Sequence, residues 1–189
     1  MQGSRDGDEG RLVYVPFAAE TPRLALEILT PAHAPLLIAG LRDPVLYTWL
    51  DRSPPDLAAL TLRFRKICRR PAPDGQLWLN WALRWRNDGR YVGLAEATVY
   101  PNRDANIAYF VFADEQGKGI AAEATAAVIA HLGRDCGVGR FIITADTRNV
   151  ASQRVAEKLG FARAADPEPA GTLRGKPVLD YRYTLLRDG

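Results

Sequence analysis

Two short segments carry the glycines and polar side chains best suited to ligand binding or catalysis. The first, Gln116-Gly117-Lys118-Gly119-Ile120-Ala121, sits between a strand-like run and an Ala-rich helical run. Glycines at a helix start let the backbone approach a ligand closely. The free N–H groups of the first turn, with the helix dipole, favour a phosphate there. The segment reads as a pyrophosphate-binding turn or as a plain structural turn, and spacing alone leaves both open. The second segment runs from Asp146 through Asn149 and Ser152 to Phe161. Asn149 and Ser152 flank a helix start, where capping is the reading physics favours. Val155 and Leu159 make an i, i+4 core pair. A third residue, Glu96, stands mid-strand in the apolar run Gly93-Leu94-Ala95-Glu96-Ala97-Thr98-Val99. A carboxylate is costly there without a role or a hydrogen-bonded partner.

Other phosphate and metal chemistries fit less well. A Walker loop needs Gly-Lys-Ser/Thr, which is absent. Gly117, Gly119 and Ala122 satisfy a dinucleotide fingerprint, with Asp146 ending the next strand. In that fold the glycines follow the strand directly, near the start of a βαβ half. Here four residues intervene and a meander precedes them. His33 and His131 lack metal-ligand spacing with another His, Cys or carboxylate, so no metal is expected. Cys68 and Cys136 are too few for a disulfide scaffold and read as reduced, buried side chains.

The elements that position these residues can be read from periodicity. Residues 23–29 alternate as a strand, and Thr30-Pro31 opens a helix ended by Asp43-Pro44. Residues 57–68 form a second helix, with Arg65, Lys66, Arg69 and Arg70 near its end. These cations suit a helix C-terminus or a substrate-steering patch. Residues 77–86, 91–100 and 105–112 are three consecutive strands, an antiparallel meander whose first turn is Asn87-Asp88-Gly89. In the first of them Trp81 and Trp85 share the apolar face. Trp78, on the other, is either packed or lines an acceptor groove. A charged loop, a helix over 120–136, a strand over 140–145 and a helix over 150–159 follow. Two strands, 161–163 and 178–186, close the chain around a Pro/Gly-rich loop at 167–177. The pattern predicts one α/β (α+β) domain: a central, mixed, mostly antiparallel sheet of six to seven strands flanked by about four helices. Residues 1–19 read as a disordered or extended tail and 20–189 as the domain.

Composition supports this. The chain has 189 residues, enough to bury about two-thirds of its surface. Its net charge of +3 is too weak and interspersed to imply nucleic-acid binding. No secretory segment and no transmembrane run is visible, so no membrane partner and a cytoplasmic location are expected.

Together the motifs resemble a known superfamily. Gln116-x-x-Gly119-x-Ala121 is similar to the (Q/R)-x-x-G-x-(G/A) acyl-CoA motif of GNAT N-acetyltransferases. The run Asn149 to Phe161, the helix opening Gly119-Ile120-Ala121-Ala122-Glu123-Ala124 and the start Thr21-Pro22-Arg23-Leu24 resemble the RimJ/RimL-like branch, over roughly residues 20–187.

The resemblance implies acetyl-CoA as acyl donor and direct transfer to a primary amine. The acceptor it suggests is a protein N-terminal α-amine. A small-molecule acceptor (antibiotic, amino acid or polyamine) and a catalytically silent acyl-CoA-binding module are the alternatives. Main-chain N–H groups of Gly117, Lys118, Gly119, Ile120 and Ala121 would hold the pyrophosphate, with Gln116 shaping the turn. The backbone of Phe110, Val111 and Phe112 would pair with pantetheine, and an N–H near Val111 or Phe112 would polarise the carbonyl. Asn149 would contact the cofactor arm. Many relatives carry an acid Tyr seven positions after that Asn, where this chain has Ala156. The branch instead has a Ser, matched by Ser152, which would contact the cofactor and whose weakly acidic hydroxyl would relay a proton through water. Glu96 is the candidate base, and Tyr100, Asn106 and Tyr109 either position the amine or pack. A homodimer and a monomer are equally compatible with the resemblance.

Overall fold

The computed structural model describes residues 18–68 and 72–187. Of the expected tail, residues 1–19, the first 17 lie outside the described residues, and Ala19 already belongs to strand β1 (Ala19–Glu20). The other strands are β2 (Leu24–Ile28), β3 (Leu77–Trp85), β4 (Tyr91–Val99), β5 (Asp104–Val111), β6 (Arg140–Asp146), β7 (Ala162–Arg163), β8 (Glu168–Leu173) and β9 (Lys176–Leu186). Four helices join them: α1 (Ala34–Leu41), α2 (Leu57–Ile67), α3 (Ile120–Cys136) and α4 (Val150–Lys158).

One sheet runs β1-β2-β3-β4-β5-β6-β9-β7, with β8 on the edge of β9. Every pair is antiparallel except β5 with β6. Strand alternation sends side chains to opposite faces. Val92, Ala95, Ala97 and Trp81 pack with Ile120, Ala124, Val128 and Ala156, under α3 and α4. Ala82, Leu94 and Phe112 pack with Leu37, Leu41, Leu60 and Phe64, under α1 and α2. Each fully buried Leu, Ile or Phe contributes roughly 1.5–3 kcal/mol. Trp81 is core, as its spacing requires, and Trp85 packs against the same cluster.

Two local readings need correction. The segment read as a loop at 167–177 is a hairpin, because Arg174 and Gly175 both take positive φ (52° and 76°) and close a two-residue turn. Its first strand, β8, tolerates Pro169 and Gly171 because it pairs on one side only. At the β3–β4 turn only Gly89 has positive φ, so Asp88 does not share that strain.

Candidate functional site

The sheet opens between its two parallel strands. β5 and β6 pair only at Asp104–Arg140, Ala105–Phe141 and Asn106–Ile142. Beyond these residues β5 follows β4 as far as Val111, and β6 follows β9 as far as Asp146. The result is a V-shaped gap with backbone on both sides. Phe112 N–H is taken by Val92 O at 2.9 Å. It is therefore not free to polarise a carbonyl, which leaves Val111 of the two expected donors. Alternation in an antiparallel ladder then turns the Val111 N–H toward the gap. The side chains of Val111 and Phe112 are buried in core, and the Phe112 carbonyl accepts the Glu115 N–H at 2.9 Å, so of the two only the Val111 main chain faces the gap. The distortion is sharp where β5 leaves: a Cβ on Gly93 would lie 2.0 Å from the Phe110 carbonyl oxygen. Only glycine fits there.

The Gly-rich turn sits at the end of β5. Gln116 Nε2 donates to Val111 O at 3.1 Å, tying the turn to the strand. Gly117 and Gly119 have φ of 76° and 79°, which glycine adopts without a Cβ penalty. Gly119 then caps α3 with no side chain in front of it. The N–H groups of Gly119, Ile120 and Ala121 open the helix, and nothing lies within 4 Å of the Cβ position of Gly117. This is the geometry of an anion cradle. Lys118 contributes only its backbone, because its Nζ is held by Glu115 Oε2 at 2.8 Å. Glu115 is itself buried and accepts from Trp85 and Arg90 as well. Its burial opposes the charge, but these donors prevail and its pKa is lowered.

Two cations flank the cradle that spacing did not disclose. Arg23 Nη2 lies 3.5 Å, and Lys158 Nζ 4.0 Å, from the Cβ position of Gly119. Arg23 is fixed in place: its Nε donates to Glu123 Oε2 at 2.6 Å and its Nη1 to Lys118 O at 3.0 Å. Thr21 Oγ1 donates to the other oxygen of Glu123 at 2.5 Å. The Thr21-x-Arg23 start and the Glu123 of the helix opening are thus one unit that braces the turn.

On the α4 side, Asn149 Oδ1 accepts the Ser152 N–H at 3.2 Å and caps the helix. The Asn149 amide nitrogen has no hydrogen-bond partner among the described residues, so the cap and a ligand contact are compatible. Ser152 Oγ is no cap; it lies 2.8 Å from Tyr109 Oη. Burial raises the Tyr109 pKa and the bond to Ser152 opposes this, so the phenol stays protonated through neutral pH.

On the α1/α2 face, Glu96, Thr98, Asn106, Ala108, Ile142 and Thr144 line a cleft of about 220 Å³. Glu96 Oε1 accepts from Arg63 Nη2 at 2.6 Å. Its Oε2 has no partner among the described residues. Asn106 Nδ2 donates to Tyr100 Oη at 2.9 Å. Trp78 is cross-strand from Thr98 and does not line the cleft. Nor do Arg65 and Lys66, which are exposed, while Arg69 and Arg70 lie outside the described residues. The cations near the cleft are instead Arg63 and Arg52. Glu96 and the Tyr109–Ser152 pair therefore stand on opposite faces of the sheet, with the gap between them. Among the described residues no cluster of His, Cys, Asp or Glu could hold a metal, and no helix is long and apolar enough to cross a membrane.

The family profile described as "Acetyltransferase (GNAT) domain" matches residues 23–162. No curated protein matches the chain in sequence at a significant level. Similar solved structures include three acetyltransferases. The Salmonella typhimurium enzyme that modifies the N-terminal serine of ribosomal protein L7/L12 is 21% identical, with a TM-score of 0.77 over 89% of this chain and 97% of that one. The ribosomal-protein-S5-alanine acetyltransferase from Vibrio fischeri is 15% identical, with a TM-score of 0.78 over 92% and 98%. The microcin C7 self-immunity acetyltransferase MccE, solved with acetyl-CoA and AMP, is 18% identical, with a TM-score of 0.78 over 88% and 94%. At these identities the likeness is one of fold.

Proposed function

The chain belongs to the GNAT family of acetyltransferases, which act with acetyl-CoA, and from that premise we propose that it acetylates the N-terminal α-amine of a protein or peptide by direct transfer. The observation that carries the reading is the placement of Glu96 and Ser152 on opposite faces of one gap in the sheet. An amine can enter from one face while a thiol leaves from the other. The cleft of about 220 Å³ beside Glu96 has room for the end of a chain. The names of the Salmonella and V. fischeri neighbours support the same acceptor class.

Bound acetyl-CoA supplies a thioester carbonyl for the amine to attack. The chain's residues do the rest. Gly119, Ile120 and Ala121 offer N–H groups to the pyrophosphate, aided by the charges of Arg23 and Lys158. The open edge of β5 offers main-chain pairing to the pantetheine arm, and Asn149 its amide. The Val111 N–H polarises the carbonyl in this reading. Glu96 Oε2 takes a proton from the attacking nitrogen as the N–C bond forms. Ser152 Oγ gives a proton to the sulfur as the C–S bond breaks, and Tyr109 Oη stands behind it as the next donor.

The test is acetyl-CoA-dependent thiol release with two pools, short peptides with free N-termini and small amines. Release with the peptide pool supports the reading. Release with small amines alone assigns the enzyme to metabolite or antibiotic modification. Silence with both, despite acetyl-CoA binding, favours a silent binding module or an acceptor outside both pools.

A further inference from the structure

Two guanidinium groups stand beside the acceptor cleft, and one carboxylate answers them. Arg63 is committed to Glu96. Arg52, in the loop ahead of α2, makes no ion pair among the described residues. Its guanidinium carbon lies 5.1 Å from the ring centre of Phe110 and 5.7 Å from that of Tyr47. A guanidinium stacked on ring faces keeps its N–H edge free for a planar bidentate acceptor. Arg52 is solvent-accessible, yet enough protein surrounds it that burial, and then the charge of Arg63, lower its pKa. Such a cation gains most from a bound anion.

The loop that carries Arg52 is anchored across the mouth of the gap. Trp49 stacks under the Arg148 guanidinium, 5.1 Å from its ring centre, next to Asn149. Asp51 Oδ1 accepts the Arg174 N–H at 3.1 Å from the β8–β9 turn. Phe110, under Arg52, is two residues from Ala108, and Ala108 is directly cross-strand from Glu96. One cation outside any ion pair among the described residues and one carboxylate with a free oxygen therefore flank the same opening.

We infer that the acceptor carries a carboxylate close to its reacting amine, and that Arg52 binds that carboxylate. Resting on the reading above, the acceptor is a peptide N-terminus with an acidic side chain among its first few residues. Glu96 attracts the ammonium and Arg52 the carboxylate, so the site matches a chain end with both.

The experiment compares kcat/KM for peptides of one sequence that differ only near the N-terminus, Asp or Glu against Asn or Gln, with free amino acids and neutral small amines as further arms. Acidic peptides should exceed their amide counterparts at least about tenfold, mainly through KM, the scale of one charge-assisted hydrogen bond. The ratio should fall toward one in Arg52→Gln, and Arg52→Glu should reverse the preference toward Lys-bearing peptides. The wild-type series alone decides the matter if the variants do not fold. Equal kcat/KM across that series overturns the inference and leaves the peptide reading standing. Turnover of carboxylate-bearing small amines without peptides overturns the peptide acceptor. No turnover with any amine, despite acetyl-CoA binding, overturns both.

Discussion

The Tyr109 hydroxyl on β5 lies 2.8 Å from the Ser152 hydroxyl on α4, joining residues 43 positions apart beside the gap in the sheet. The α4 position where many GNAT relatives carry an acid tyrosine is Ala156, which is fully buried here. Here a phenol reaches Ser152 from a strand, β5. Replacement of Ser152 by Ala should lower kcat at least tenfold, since positioned proton transfer contributes about 10²–10⁴. Tyr109→Phe should lower kcat less, and the double variant should be no worse than Ser152→Ala, because the two act in series. Single-turnover kinetics of the three variants checks this; additive losses would separate the residues.

Glu96→Gln keeps the shape of the side chain and removes its charge. In the proposed transfer Glu96 accepts the proton, so this change should cost at least tenfold in kcat, with acetyl-CoA affinity unaltered. A loss of only a few-fold would mean that Glu96 serves mainly as the partner of Arg63.

Lys158 is exposed, and its amine reaches toward the start of α3. Lys158→Ala should weaken acetyl-CoA binding several-fold and flatten its dependence on ionic strength, since an exposed charge is screened over about 10 Å at 0.1 M salt. Calorimetric titration at two salt concentrations reads both effects.

Glu123 links the N-terminal strand to α3. Burial raises its pKa, but the hydrogen bonds from Thr21 and Arg23 outweigh this and lower it below the ordinary 4.5. A carboxyl held low in the folded state contributes stability above its unfolded pKa and loses it as pH falls through the folded value. Arg23 is half-exposed, so the contribution is small, about 1 kcal/mol. Urea unfolding should show Glu123→Gln destabilised by about that much at pH 7 and much less near pH 3.

The Gly-rich turn and the α4 cap were legible because each is local: glycine at positive φ, Asn ahead of a helix. The meander and helices were legible from periodicity. The Tyr109–Ser152 pair, the Arg63–Glu96 pair and the cations at Gly119 were not, because each joins positions that only the fold brings together. Arg52 lies in a segment without periodicity, so nothing in the sequence marks its two ring contacts. The strand β8 was hidden by its own Pro169 and Gly171, which signal a loop unless the edge position is known.

Acetylation of the α-amine is tested by locating the acetyl group on one acidic peptide that offers both a free α-amine and an internal lysine. Fragment mass spectra after reaction with acetyl-CoA should place the acetyl group on the α-amine, and the same peptide with a blocked N-terminus should be inert. Acetyl on the lysine, or equal reaction of the blocked peptide, would contradict it.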